Sequence, residues 1–156
     1  MIRRSSCAVI FALVLGGQGL IGGTRPSFAE EPGMDARQRL LVAADKLEEK
    51  IKSTRWDFNH LSEKKALEAD LVEINKINEA IALYEHELRC PAFPGSFGSR
   101  ATDDEVALIA TIVHLRGLVN DTSRWNFNNL DEQKKMKAQI ATSESALQEM
   151  KVRHCG

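Results

Sequence analysis

The stretch RWDFNHL, Arg55–Leu61, returns as RWNFNNL at Arg124–Leu130. Arg, Trp, Phe, Asn and Leu recur in the same order and spacing. Outward from the echo the correspondence continues without a gap. Glu63 aligns with Glu132, Lys65 with Lys134, Leu67 with Met136, Ala69 with Ala138 and Leu71 with Ile140. A match of this extent points to internal duplication of one structural unit.

Hydrophobic periodicity says what that unit is. Ahead of the first copy, Leu40, Ala44, Leu47 and Ile51 recur at helical spacing, with Lys and Glu on the opposite side. Behind it, Leu67, Leu71, Ile74, Ile77, Ile81, Tyr84 and Leu88 make one stripe. After the second copy, Met136, Ile140, Leu147 and Met150 make another. Such stripes belong to amphipathic helices with one dry face. The helix before the second copy differs. Thr102-Asp-Asp-Glu105 opens it with a capping box, in which the hydroxyl and the carboxylate each satisfy a free backbone N–H. The run Val106–Val113 that follows is apolar on nearly every side.

Each copy is therefore a helix, a tight turn and a second helix, and neither hairpin buries its stripe alone. The expected fold is all-α: an antiparallel up-down-up-down four-helix bundle made of two duplicated helical hairpins. The first repeat covers about 34–90 and the second about 102–156, both in one domain of residues 30–156. A Pro- and Gly-rich connection, residues 91–101, separates them.

Residues 1–29 read as a secretory signal peptide. Arg3 and Arg4 supply a basic head, Ala8–Leu15 an apolar core, and Ser27-Phe-Ala29 a small-residue cleavage site ahead of Glu30-Glu31. The apolar run is too short and too broken by glycine to span a bilayer. Localisation is expected to be periplasmic or secreted, with no stable membrane insertion after cleavage. Of the three cysteines, Cys7 leaves with the leader, so Cys90 and Cys155 are expected to pair. Closing that loop would stabilise the fold by roughly 4 kcal/mol in the chain-entropy treatment. In the expected topology the second and fourth helices run the same way. Their C-terminal ends, each followed or closed by a cysteine, then share one pole, and both RWxFNxL turns occupy the other.

Charge narrows the function. The leader removes three of the 21 basic residues and none of the 22 acidic ones, leaving an acidic chain. That excludes a nucleic-acid footprint and gives no basic face for an anionic membrane. No nucleophile elbow, Gly-rich phosphate loop or haem-attachment motif appears, so neither catalytic residues nor a cofactor are assigned. His86 and His154, with Glu85 and Glu87, gather too loosely in sequence to define a metal site.

The echoed turn supports two readings. In the structural one, Ser62 and Asp131 cap the following helices, Leu61 and Leu130 staple them, and Trp and Phe fold over the core. The Asn side chains would then satisfy the turn backbone. In the functional one, Arg55, Trp56, Phe58, Arg124, Trp125 and Phe127 form a partner-binding surface. Trp and Arg are the residue types that dominate binding hot spots. Ring exposure separates the two. The chain is expected to be a non-enzymatic module that binds a protein partner, as an inhibitor, immunity-type or adaptor protein. The alternative is a small-ligand or metal carrier using the bundle interior. A homodimer through the third helix is expected if the Val106–Val113 run is less than fully covered.

Overall fold

A computed structural model of the chain describes residues 33–88 and 100–155. The leader, residues 91–99 of the connection and Cys90 lie outside the described residues, as does the side chain of Cys155. The described chain is all-helical, with four helices and no strand, consistent with a helical bundle. They are α1 (Ala36–Ser53), α2 (Leu61–Glu87), α3 (Asp103–Asn120) and α4 (Leu130–Cys155). Two compact units, Met1–Asn78 and Glu79–Gly156, divide the chain within α2.

In the first unit, Asp35 starts α1 with a full capping box. Its side chain accepts from Gln38 N at 2.8 Å, while Gln38 Oε1 accepts from Asp35 N at 3.1 Å. The helix buries Ala36, Leu40, Ala43, Ala44 and Leu47, a stripe of mostly small side chains. Lys50 and Lys52 sit in its last turn, where cations complement the helix dipole. Lys50 also meets Glu63 across the turn at 3.6 Å. From the start of α2 only Ile74 and Ile77 are fully buried apolar residues in this unit. Asn78 Oδ1 is shut away from water with no hydrogen-bond partner.

The second unit holds the end of α2 with α3 and α4. Ile81, Tyr84 and Leu88 are buried, as are Val106, Ile109, Ala110, Ile112 and Leu115 of α3. The β-branched run thus folds as helix, and Ala107, Leu108, Thr111 and Val113 are half-buried rather than bare. The run is therefore less than fully covered. The expected capping box is present: Thr102 Oγ1 accepts from Glu105 N at 3.3 Å and Glu105 Oε2 from Thr102 N at 3.1 Å. Helices α3 and α4 lie side by side and antiparallel. His154 pairs with Glu105 at 3.1 Å at one end, Arg116 with Glu144 midway, and Gln133 Nε2 donates to Val119 O at 3.4 Å near the turn. The stripe of α4 is only half-covered at Met136, Ile140, Leu147 and Met150, and Ser143 is its one fully buried residue.

The C-terminal ends of α2 and α4 meet. Lys151 Nζ bonds Glu87 Oε2 at 2.6 Å, and this lysine holds the Glu87 carboxyl below its ordinary range. At the same end Ala101 N donates to Glu85 Oε1 at 2.9 Å. Glu105, only 3% exposed, faces Tyr84 as well as His154. No hydrogen bond of sound geometry reaches the Tyr84 hydroxyl. Burial first, and then the Glu105 carboxylate, push this phenol up to about 12.

Tyr84 is the only tyrosine in the sequence, so tyrosinate absorbance reports it alone. The native chain is expected to titrate near 12, and urea-unfolded chain near the ordinary value of 10. A folded pKa above the unfolded one means that the contribution of this group to stability is complete below the unfolded value. It is lost as pH rises through the window from about 10 to about 12. A native midpoint at the ordinary value would show that the ring is not held in this environment.

Candidate functional site: the duplicated turns

A helix that stops leaves its last carbonyls bare, and a helix that starts leaves its first amides bare. Both RWxFNxL turns meet the two needs in one short stretch. Trp56 turns its indole back onto the end of α1, with Nε1 donating to Ile51 O at 2.9 Å. Trp125 does the same to the end of α3, with Nε1 shared between Val119 O at 3.0 Å and Leu118 O at 3.1 Å. Each tryptophan is a side-chain cap for the helix before it, and each ring is half-buried.

The next residue starts the following element. Asp57 Oδ1 accepts from Asn59 N at 3.0 Å and His60 N at 3.1 Å, opening a single 3-10 turn, Phe58–His60. Asn126 Oδ1 accepts from Asn128 N at 2.9 Å and opens the 3-10 turn Phe127–Asn129. Leu61 and Leu130 then lead directly into α2 and α4. The capping role expected of Ser62 and Asp131 therefore belongs to Asp57 and Asn126. The physical reason is the intervening 3-10 turn, which moves the first bare amides upstream. Asp and Asn interchange here because what the turn needs is one acceptor oxygen, which both supply.

The copies are locked by different chemistry. In the first, Asp57 Oδ1 also bonds His60 Nδ1 at 2.5 Å, and this histidine holds the Asp57 carboxyl below its ordinary range. In the second the bonds are uncharged. Asn129 Oδ1 accepts from Asn126 N at 2.7 Å, and Asn129 Nδ2 donates to Arg124 O at 2.9 Å. The preceding helices also end differently. The Thr54 N–H closes α1 on Lys50 O at 3.1 Å, whereas Asp121 stops α3 by accepting from Ser123 N at 3.1 Å, opening a further 3-10 turn.

Against these differences stands what the turns present. Phe58 and Phe127 are each 89% exposed, and Leu61 and Leu130 are 42% and 41% exposed. The expectation that Phe folds over the core is overturned: the ring leads the 3-10 turn, outside the bonds that tie the turn to its helices. Arg55 and Arg124 are exposed too. Arg124 lies over the Trp125 ring at 5.5 Å and 3.7 Å from Glu132. Asn59 and Asn128 lend the turn their backbone N–H only, so the expected side-chain role in satisfying the backbone falls to Asp57, Asn126 and Asn129. Of the six residues read as a partner surface, four face water and the two tryptophans hold the frame. Asn59 and Leu61 in the first turn, and Asn128 and Leu130 in the second, are exposed beside them.

An open depression along α1 is lined by Asp45, Glu48, Glu49, Lys52 and Ser53, all from one helix. Among the described residues no group of three or more His, Cys, Asp or Glu is arranged to hold a metal ion. None of their helices is long and apolar enough to cross a membrane. No protein-family model, curated protein or solved structure matches the chain.

The division between framing and displayed residues is measurable by urea denaturation. Trp56→Phe and Trp125→Phe, which keep a ring and delete the N–H donor, should each lower stability by about 1 kcal/mol. Phe58→Ser and Phe127→Ser should each change it by less than about 0.5 kcal/mol. The reverse order would mean that the phenylalanines, not the tryptophans, hold the turns.

Proposed function

We propose that this is an exported, non-enzymatic helical protein that binds a protein partner through its two RWxFNxL turns. The observation that carries the reading is the 89% exposure of both Phe58 and Phe127. A phenylalanine in water contributes nothing to folding, while burying it elsewhere is worth roughly 1.5–3 kcal/mol. Around each ring stand an exposed Arg, an Asn whose side chain is not used by the turn, and a part-exposed Leu. An aromatic anchor with a cationic and a polar neighbour is the composition of an interface centre. The frame behind it is fixed by hydrogen bonds, so little ordering entropy opposes docking.

Export and a Cys90–Cys155 disulfide belong to the same reading. They rest on the leader and on the two cysteines left after cleavage. The Lys151–Glu87 pair supports them, because each partner stands within four residues of one of those cysteines. With that bond the duplicated hairpins would close as an up-down-up-down bundle.

The test is a comparison of two baits. Wild-type chain and the Phe58→Ser/Phe127→Ser double variant are immobilised in parallel against the exported proteins of the source cell. Both should have the same helical circular dichroism and the same loss of two hydrogens on oxidation, seen in the intact mass. A protein retained by the wild type and depleted at least tenfold on the variant is the expected result. Equal retention by both baits would remove the turns from the interface.

A further inference from the structure

The two turns need not do the same thing merely because they share ancestry, and the detail of their construction bears on this. The bonds that lock them have diverged: Asp57 with His60 in one, Asn126 with Asn129 and the Arg124 carbonyl in the other. The helix stops have diverged as well, one closing on a backbone bond and the other on the Asp121 side chain. Position by position, the residues that differ, 57, 60 and 62 against 126, 129 and 131, are polar. The identical ones beside Trp are Arg, Phe, Asn and Leu. The exposures of Phe agree at 89% and 89%, and those of Leu at 42% and 41%. Two frames built differently thus present one chemical face.

We infer that each turn is a complete recognition element for the same pocket, so that one chain binds two identical partner sites. This rests on the partner-binding reading and adds the partner's chemistry and stoichiometry. The pocket is an apolar hole that takes one phenyl ring with the Leu beside it. Its rim carries carboxylates or carbonyls to receive the Arg guanidinium and the Asn amide. It does not read the residues at 57, 60 or 62, because the second copy changes all three. A partner that reads one turn reads the other, either as two separate molecules or as the two halves of a symmetric dimer.

Photo-crosslinking in the exporting cell tests this. Phe58→p-benzoylphenylalanine and Phe127→p-benzoylphenylalanine are made singly and together, with Leu83→p-benzoylphenylalanine as a control at another exposed apolar site, 62% accessible. The expected result is that each single variant joins the same partner polypeptide at the same tryptic peptide. The double variant should carry two partner chains, and the control none. With the partner purified, sites per chain measured by calorimetry should fall from two to one in Phe58→Ser or Phe127→Ser, with Kd at the remaining site within threefold. Crosslinks from one turn only, or to different peptides, would overturn the equivalence and leave single-turn binding standing. Adducts with lipid alone, or none at either position, would overturn both readings.

Discussion

Ending one helix and starting another within a few residues is the constraint on which the rest of this structure depends. Carbonyls left bare at one end and amides left bare at the other must all find partners, or the turn frays. Here an indole N–H answers the first need and a carboxylate or amide oxygen answers the second, on adjacent residues. Trp56 with Asp57, and Trp125 with Asn126, are therefore one device used twice. Because the device occupies two neighbouring positions, the residue that follows is pushed out to lead the 3-10 turn. In both copies that residue is phenylalanine.

Burial along the helices fits this arrangement. In the first unit it covers Ala36 to Leu47 of α1 and then Ile74 and Ile77 of α2; in the second it covers Ile81, Tyr84 and Leu88 of α2, Glu105 to Leu115 of α3 and Ser143 of α4. Between Leu61 and Glu73, and again between Leu130 and Thr142, no residue is fully buried. The dry part of each hairpin lies away from its turn. Exposed phenylalanines at the turn therefore do not close a core, because little core reaches them. Covering the Phe together with the half-buried positions just behind it, Leu67 and Met136 among them, would dry a surface that the chain alone leaves wet.

Much of the helical layout was legible in the residues. The stripes of α1 and α2 and the Thr102–Glu105 box read directly, since each depends on spacing along one helix. The turn was legible as a repeat and not as a mechanism. Asp57 aligned with Asn126 differs in charge, which a sequence displays most plainly, whereas the turn uses only the oxygen they share. Ser62 and Asp131 have the right chemistry for caps, but a 3-10 segment ahead of a helix leaves no periodic mark. The exposure of Phe58 and Phe127 was likewise hidden. A ring in a turn has no stripe to assign it to a face. The pairing of Glu105 with His154 joins residues far apart in sequence, where no local pattern exists to be read.

The two repeats have drifted in opposite directions, and packing explains why both drifts survive. Aligned on the echo, Ala43 and Ala44 of α1 correspond to Ile112 and Val113 of α3, while Ile74 and Ile77 of α2 correspond to Ser143 and Ala146 of α4. Small residues on the first helix accompany large ones on the second in repeat one, and the order is reversed in repeat two. Interiors at crystal-like density tolerate this exchange provided that the summed volume between facing helices is kept. Ala36 against Glu105 follows a different course, since the carboxylate is tolerated in burial by the Thr102 amide and His154. The turns differ from the buried stripes: the residues facing water at 55, 58, 59 and 61 have the same identity at 124, 127, 128 and 130. Packing constrains a sum, which many side-chain combinations satisfy. Exposed positions carry no such sum, and the recurrence of the same side chains there is what the partner-binding proposal accounts for.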